Sequence, residues 1–297
     1  MKQKITFKRD DLTLVGNLFT PDNFDENGHY KAVLVQGSFS SVKEQMAGTS
    51  AEKLAAEGFV ALTFDYAHYG ESEGAPRQLE NPAEKLADLE AAVTYLLNQP
   101  FVDATGMVGV CTSASNGTQL AAKDTRIKAY ATVAAALFTP EAQAAVGEEV
   151  VADRLAQAEV AKKKWDETGE QTLITVYSET GLTAVNYIPF DGAFDYYENT
   201  DRGNVPTYRN EFDVQSWPAF LAFDGVSPAP QITAPVMVVH SDESASPEVA
   251  KAYFESITAE KELVWGDGNH YDYYDSDKQI SFAVENLSRF FNTHVAA

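Results

Sequence analysis

The single cysteine of the chain stands in a segment whose pattern is typical of a nucleophile. Residues 109–113 read Gly-Val-Cys-Thr-Ser, so Cys111 lies among small residues, between an apolar run and a segment of small residues that suits a helix. A nucleophile at such a strand-to-helix bend occupies a tight turn that leaves room only for small neighbours. The helix N-terminus behind the turn favours an anion, and therefore the thiolate form of a cysteine. We predict that Cys111 is a nucleophile.

Two serines and a non-catalytic role are the alternatives to this assignment. In the frame of residues 113–117, Ser-Ala-Ser-Asn-Gly, Ser115 would be the nucleophile, and Ser113 is a weaker candidate. The Ser115 frame requires the strand to run four residues further, whereas the apolar run stops at Val110. A lone cysteine also often serves as a small buried hydrophobic residue.

A histidine near the C-terminus is placed to act as a general base. His270 lies in a glycine-rich loop, residues 266–272, that follows the last predicted strand. A base in that loop can reach the carboxyl edge of a parallel sheet, where the strand before the nucleophile also ends. The sequence context of His29 and His294 indicates surface positions, and His240 is predicted to pack at the end of a strand.

A carboxylate that orients the imidazole is expected on the same edge of the sheet. Asp242 and Glu243 follow the predicted strand Val236–Val239 directly. Glu243 is modestly favoured because it stands four residues before Pro247, and at least one of the two acids belongs to a solvated turn. The acids of residues 272–277 have irregular spacing, which indicates a solvated, helix-capping face rather than a metal site.

The elements that must position these residues alternate between short apolar runs and segments of helical period. This alternation is typical of an α/β fold with a mainly parallel central sheet flanked by helices. Two runs, Ile5–Phe7 and Leu12–Leu18, predict an antiparallel hairpin at the start of the chain. Residues 81–84, Asn-Pro-Ala-Glu, supply an N-cap, a first-turn proline and an acid, and they begin the clearest helix, which continues to Leu97.

The alternation stops in the middle of the chain. A charged helical stretch runs from Pro140 to about Trp165, and residues 172–232 show no alternation of strands and helices. Ten aromatic residues are concentrated between residues 187 and 223: Tyr187, Phe190, Phe194, Tyr196, Tyr197, Tyr208, Phe212, Trp217, Phe220 and Phe223. We predict that most of them anchor an insertion onto the core and that some line a substrate pocket.

Composition and charge exclude several classes of protein. The 297 residues are 44% hydrophobic, which is enough for a large core. Their formal net charge of −22 repels phosphates and anionic lipids, so we predict no nucleic-acid and no membrane partner. One cysteine allows neither an internal disulfide nor a four-cysteine zinc site.

Several further expectations follow from the same survey of the chain. No apolar stretch approaches the ~20 residues that span a bilayer, and residues 1–6 lack the apolar core of a signal peptide. We therefore expect a cytoplasmic protein. No cofactor and no metal ion is predicted, and the oligomeric state stays open, with a homo-oligomer among the options.

Taken together, these segments resemble the α/β-hydrolase superfamily, and within it the dienelactone-hydrolase-like and polyketide or acyl transferase-like members. The resemblance covers nearly the whole chain. It is carried by Gln36-Gly37-Ser38, the run Ser41–Gln45, Phe64-Asp65-Tyr66, Gly70-Glu71-Ser72, the bend at Cys111, Arg126–Ala129, and the acid and histidine loops.

The resemblance implies roles for the residues singled out above. Cys111 would be the nucleophile, His270 the base and Glu243 the acid. An oxyanion hole would form from the backbone N–H groups of Thr112 and Ser38. The resemblance also implies an α/β-hydrolase fold in two parts, residues 1–138 and 234–297, with a helical and irregular cap insertion at residues 139–233, called the cap segment below.

This sequence departs from the usual family pattern at three places. Ala67-His68 stands where an Arg-Gly pair is usual, so His68 is predicted at the pocket edge. Ser113-Ala114 replaces two glycines after the nucleophile, which tightens the bend. The acid loop is short and carries two adjacent carboxylates, Asp242 and Glu243. The other predicted substrate contacts are Phe39 and Trp217.

The implied reaction is acyl transfer from a small-molecule lactone, activated ester or thioester to the Cys111 thiolate, followed by release to water. One alternative is a transferase in which an alcohol or amine replaces the water. The other is a non-catalytic protein that binds small molecules on the same fold.

Overall fold

The centre of the molecule is an eight-stranded β-sheet, seen in a computed structural model that describes residues 1–180, 185 and 192–296. The strands of the chain are β1 (Lys2–Arg9), β2 (Leu12–Phe19), β3 (Tyr30–Gln36), β4 (Val60–Phe64), β5 (Val102–Val110), β6 (Ile127–Val133), β7 (Leu173–Thr175), β8 (Glu211–Asp213), β9 (Val236–Glu243) and β10 (Lys261–Asn269). The order in the large sheet is β1-β2-β4-β3-β5-β6-β9-β10, while β7 and β8 form a separate antiparallel pair.

Strand direction in the large sheet agrees with the sequence-based prediction. The pairs β1–β2 and β2–β4 are antiparallel, and every following pair from β4 to β10 is parallel. The predicted mainly parallel sheet with an antiparallel opening hairpin is therefore confirmed.

The helices of the described residues are α1 (Met46–Ala56), α2 (Pro82–Leu97), α3 (Ser113–Lys123), α4 (Pro140–Ala144), α5 (Glu148–Thr168), α6 (Ala193–Glu198), α7 (Trp217–Leu221), α8 (Pro247–Ser256), α9 (Asp272–Asp275) and α10 (Asp277–His294). Helices α1 and α10 pack on one face of the large sheet, and α2, α3 and α8 pack on the other. The side chain of Asn81 accepts the N–H groups of Ala83 and Glu84, so α2 begins with the predicted cap. None of the helices in the described ranges combines the length and the apolar character needed to cross a membrane.

The core lies on both sides of the central strands. Along β3, Val33 and Val35 pack in one apolar cluster, while Ala32 and Leu34 pack in the other, as expected when alternate side chains point to opposite faces. Strands buried on both faces appear in the sequence as continuous apolar runs, which explains why β3 was predictable from four consecutive apolar residues.

The cap segment packs over the carboxyl ends of the strands mainly through aromatic rings. The ring of Phe39, in the loop after β3, lies 5.8 Å from that of Phe212 and 5.2 Å from that of Phe220. Phe212 also packs on Trp217, at 4.8 Å. These contacts agree with the anchoring role expected for the aromatic residues. Tyr187 and Phe190 lie outside the described residues.

A buried ion pair ties the loop between β3 and α1 to the end of β4. The Lys43 ammonium lies 2.7 Å from a carboxylate oxygen of Asp65, and the backbone N–H of Lys43 donates to the other oxygen at 2.8 Å. Their side chains are 1% and 0% exposed. Because this loop also carries Phe39, the ion pair fixes one wall of the cavity described below.

We predict that Lys43→Met lowers the free energy of unfolding by about 3–5 kcal/mol, because it leaves the Asp65 carboxylate buried without its counter-ion. Urea denaturation followed by circular dichroism measures the change. The control is Lys4→Met, which removes an ion pair between Lys4 and Glu71 that is 57% and 36% exposed, and which should cost less than about 1 kcal/mol. Equal losses in the two variants would contradict the prediction.

Candidate active site

The bend between β5 and α3 places Cys111 in an unusual backbone conformation. Its φ is 56°, in the left-handed region that residues with a side chain rarely adopt. The N–H of Cys111 donates to Val133 at 3.1 Å, and its carbonyl accepts the N–H of Ala136 at 3.1 Å. A Cβ added at Gly109 would lie 2.3 Å from the carbonyl oxygen of Ser113, so the flanking residue must be glycine.

His270 reaches the sulfur from the loop after β10. Its Nε2 atom lies 3.3 Å from the Sγ atom of Cys111. The loop is held in a turn by the side chain of Asn269, which accepts the N–H groups of Tyr271 and Asp272. The structure therefore brings together two predicted site residues that are 159 positions apart in the chain.

Tyr274 is a member of this cluster that the sequence reasoning missed. Its hydroxyl lies 2.9 Å from Nε2 of His270, which in turn lies 3.3 Å from the sulfur of Cys111. The signal in the sequence was the spacing, because Tyr274 follows His270 by four residues, about one helical turn. The acidic residues of this segment had been interpreted as a solvated cap, and its tyrosines had been assigned no role.

The other ring nitrogen of His270 faces the backbone. The N–H of Ala245 donates to Nδ1 at 3.3 Å. A nitrogen that accepts a hydrogen bond carries no hydrogen, so the neutral ring has its hydrogen on Nε2, toward Cys111 and Tyr274.

The structure does not place the predicted acids on the imidazole. Asp242 accepts a hydrogen bond from the indole N–H of Trp265 at 3.1 Å and lies 3.7 Å from the Lys251 ammonium. Glu243 is exposed. The physical reason is that β9 continues through Glu243, so the extended backbone carries both carboxylates past the sheet edge instead of turning them inward.

Burial sets the charge state of the cluster. It lowers the pKa of His270 to about 3, with a smaller contribution from nearby His240, and it raises the pKa of the Cys111 thiol. Hydrogen bonds from Tyr274 and Thr112 oppose the rise at the sulfur without cancelling it. The resting pair is thus a neutral thiol beside a neutral imidazole. This result corrects the expectation that the helix N-terminus would make the thiolate the resting form.

Two backbone N–H groups face the sulfur, those of Thr112 and Phe39. Thr112 was one of the two predicted oxyanion donors, but Phe39 stands where Ser38 was expected. Ser38 has other partners, since its hydroxyl bonds to that of Tyr197 and its carbonyl accepts the Ser41 hydroxyl. The second backbone N–H at the sulfur is therefore that of Phe39, one residue further along the loop than Ser38.

A cavity of about 100 Å³, partly open to solvent, lies over Cys111. Most of its wall is apolar or aromatic, including Phe39, Phe138, Val176, Tyr177, Phe220 and Tyr271. Among the described residues that line it, none is Asp, Glu, Lys or Arg. Phe39 thus occupies the predicted position beside the reacting groups.

The other two predicted substrate contacts lie away from the cavity wall. The His68 ring hydrogen-bonds to the carbonyl of Pro76 at 2.8 Å and to the carboxylate of Glu84 at 3.0 Å. The backbone of His68 is left-handed, with a φ of 76°. Trp217 is completely buried and packs against Phe220, so it supports a cavity residue instead of touching the cavity. Both residues are structural here.

The hydroxyl groups of the two alternative nucleophiles, Ser115 and Ser113, are engaged in other hydrogen bonds. The hydroxyl of Ser115 donates to Ala136 at 3.2 Å and accepts the N–H of Phe138 at 3.0 Å. The hydroxyl of Ser113 bonds to that of Tyr66 at 3.1 Å. Neither serine is bonded to His270, so the geometry favours the sulfur.

Comparison with known proteins places this arrangement in a family. Residues 85–196 match the family model described as BAAT / Acyl-CoA thioester hydrolase C terminal. The chain is 30% identical to the protein YcjY of Escherichia coli (strain K12), over 98% of each chain. It is 26% identical to the thiohydrolase aneE of Aspergillus aculeatus, over 88% of this chain and 84% of that protein. The crystal structure of the alpha/beta hydrolase GrgF from Penicillium sp. sh18 superposes with a TM-score of 0.84, at 20% identity and with 100% of both chains covered.

The chain therefore belongs to the α/β-hydrolase superfamily. Its eight-stranded, mainly parallel sheet with flanking helices is the fold of that superfamily. The protein is accordingly an enzyme, an α/β hydrolase of the group that contains thioester hydrolases and acyl transferases.

We predict that Gly109→Ala reduces turnover of an acyl ester at least about tenfold, because the new Cβ displaces the first turn of α3 and with it the sulfur. Turnover and the thermal midpoint are measured together. The control is Gly58→Ala, where φ is 98° and the added Cβ meets no atom within 4 Å, so it costs stability through the backbone alone. A similar loss of turnover in both variants would show that the effect is only lower stability.

Proposed function

We propose that the enzyme hydrolyses thioesters or activated esters of uncharged acyl groups through an acyl-enzyme on Cys111, with His270 as the base. The observation that carries the proposal is the 3.3 Å contact between Nε2 and Sγ at the base of an apolar cavity. The similarity to a thiohydrolase and to the acyl-CoA thioester hydrolase family supports thioesters first.

The first half of the reaction forms the acyl-enzyme. The sulfur of Cys111 attacks the carbonyl carbon, and its proton passes to Nε2 of His270. The carbonyl oxygen becomes an oxyanion that accepts hydrogen bonds from the N–H groups of Thr112 and Phe39. The C–S or C–O bond of the substrate then breaks, and the imidazolium returns its proton to the departing thiol or alcohol.

The second half releases the acid. Water loses a proton to Nε2 and attacks the thioester formed on Cys111. The C–S bond to the enzyme breaks, the proton returns to the sulfur, and a carboxylic acid leaves. A thiolate expels an amine poorly, which disfavours peptides as substrates.

Proton acceptance by Nε2 requires that the ring carry its hydrogen on Nδ1. The Ala245 N–H contact must therefore open during turnover, and an acceptor must take its place. We propose Glu243 for this role and Asp242 as its alternative. Glu243 is paired in register with Asn269, the residue before His270, so a turn of the exposed end of β9 brings its carboxylate toward the ring.

The cap segment is the proposed acyl-binding part of the enzyme. Its residues Gln143, Tyr177 and Phe220 line the cavity together with Phe39 from the sheet side. An apolar wall without a charged side chain among its described residues favours an acyl group without charge, because an unpaired buried charge is costly.

A transferase is the second candidate. Cys111 is 8% exposed, and limited access of water to an acyl-enzyme favours transfer to an alcohol or amine bound in the cavity. Product analysis with and without such an acceptor distinguishes the two reactions, since hydrolysis yields only the free acid.

We predict that Cys111→Ala abolishes turnover and leaves the fold intact, because the bend accepts a small side chain. Intact-mass analysis of the wild type with iodoacetamide provides a second readout, since the chain has one cysteine. The same labelling of His270→Ala should be slower if the imidazole assists the sulfur. Substantial turnover by a folded Cys111→Ala protein would refute the proposal, and unchanged labelling of His270→Ala would favour a silent, buried cysteine.

We predict that kcat/KM is nearly independent of pH between pH 5 and 8, without an inflection near pH 6.5. Burial lowers the pKa of His270 to about 3 and raises the pKa of the Cys111 thiol, so the neutral thiol and neutral imidazole that react are both fully populated over this range. The proton moves inside the pair, so the step takes none from solvent. Rates measured from pH 5 to 8 test this, and an inflection near pH 6.5 or a tenfold rise for each pH unit would contradict it.

A further inference from the structure

The hydroxyl of Tyr274 lies beside the atoms between which the proton moves. It is 2.9 Å from Nε2 of His270, which is itself 3.3 Å from the Sγ atom of Cys111, and all three residues line the same cavity. We propose that Tyr274 is a catalytic residue whose hydroxyl donates a hydrogen bond to the sulfur and links it to the imidazole. This inference rests on the function proposed above, in which Cys111 is the nucleophile.

The direction of each hydrogen bond follows from the backbone contact on the far side of the ring. The Ala245 N–H occupies Nδ1, so the hydrogen of the neutral imidazole is on Nε2. The hydroxyl of Tyr274 therefore accepts from Nε2–H, and its own hydrogen is left to point at Cys111. The resulting chain runs from imidazole to phenol to sulfur. In the proposed reaction Nε2 carries a hydrogen again once it has taken the proton of Cys111, so the same chain presents a donor to the sulfur when negative charge has developed there.

A donor at this place is needed because the sulfur is surrounded by groups that stay neutral. Burial raises the phenol pKa values of Tyr177, Tyr197 and Tyr271 well above their usual range, and it keeps His270 uncharged. Among the described groups that face the sulfur, none supplies a positive charge between pH 6 and 10. The thiolate therefore depends on neutral hydrogen-bond donors, which are strong when the acceptor is charged.

A role limited to ring packing does not account for these contacts. The ring of Tyr271 lies 5.3 Å from the imidazole, nearly the same distance as the 5.2 Å of Tyr274, and both rings meet it edge to face. Of these two rings, Tyr274 is the one whose hydroxyl bonds to Nε2. The hydroxyl, rather than the ring, is what distinguishes Tyr274.

The test removes the hydroxyl and keeps the ring, in Tyr274→Phe. The rate of Cys111 alkylation by iodoacetamide is followed by intact mass from pH 6 to 10, because this rate reports the thiolate directly. Loss of one hydrogen bond to a charged sulfur should lower the alkylation rate about tenfold at pH 8 and at each higher pH of the profile. In the ester assay, kcat should fall about 10- to 100-fold, with KM changed less than about threefold.

The control is Tyr273→Phe, on the same turn of α9. The Tyr273 hydroxyl points toward Gly266 of β10 and not toward the sulfur, so its removal should leave the alkylation profile at its wild-type position. A wild-type profile for Tyr274→Phe, or equal shifts in the two variants, would overturn the inference. The proposed function has a separate test, since turnover by Cys111→Ala would refute it whatever the alkylation profiles show.

Discussion

The left-handed backbone at Cys111 is the constraint on which the whole site depends. A φ of 56° is unfavourable for a residue with a side chain, and it persists because the backbone around it allows no relaxation. Val133 and Ala136 hold the two peptide groups of the bend, and Gly109 lets the first turn of α3 approach closely. The bend directs the sulfur out of the sheet toward the cap segment. There the sulfur lines the cavity and contacts the imidazole of His270.

Burial of that sulfur determines the electrostatics of the cluster. A charge in a wall of aromatic rings is costly, so thiol and imidazole are both neutral at rest, and ionisation has to be supported where it occurs. The support comes from fixed neutral dipoles, the N–H groups of Thr112 and Phe39 and the hydroxyl of Tyr274. The Lys43–Asp65 ion pair contributes indirectly, because it holds the loop that presents the N–H of Phe39.

The sequence predicted the parts of the site that depend on local pattern. The tight bend at Cys111 requires small neighbouring residues, and the loop at His270 requires glycines. Both requirements can be read from a few consecutive residues. The oxyanion donor was misplaced by one residue, since the choice between Ser38 and Phe39 depends on the path of a loop. His68 and Trp217 were misassigned because residue type does not reveal which way a side chain turns. At these three positions, the contacts of the residue are made with residues that lie far away in the sequence.

The acid loop shows the same limit and also carries the change of hydrogen position that the proposed reaction needs. Ala245 lies between two imidazoles: its carbonyl accepts from Nε2 of His240 at 3.1 Å, and its N–H donates to Nδ1 of His270. His240 is fully buried, so it holds the carbonyl side of Ala245 in place. Rotation of the peptide group between Ser244 and Ala245 would therefore decide whether His270 presents a donor or an acceptor to the sulfur. Catalysis by a base requires the acceptor, so in the proposed reaction the segment that follows β9 sets the role of His270 through this N–H group.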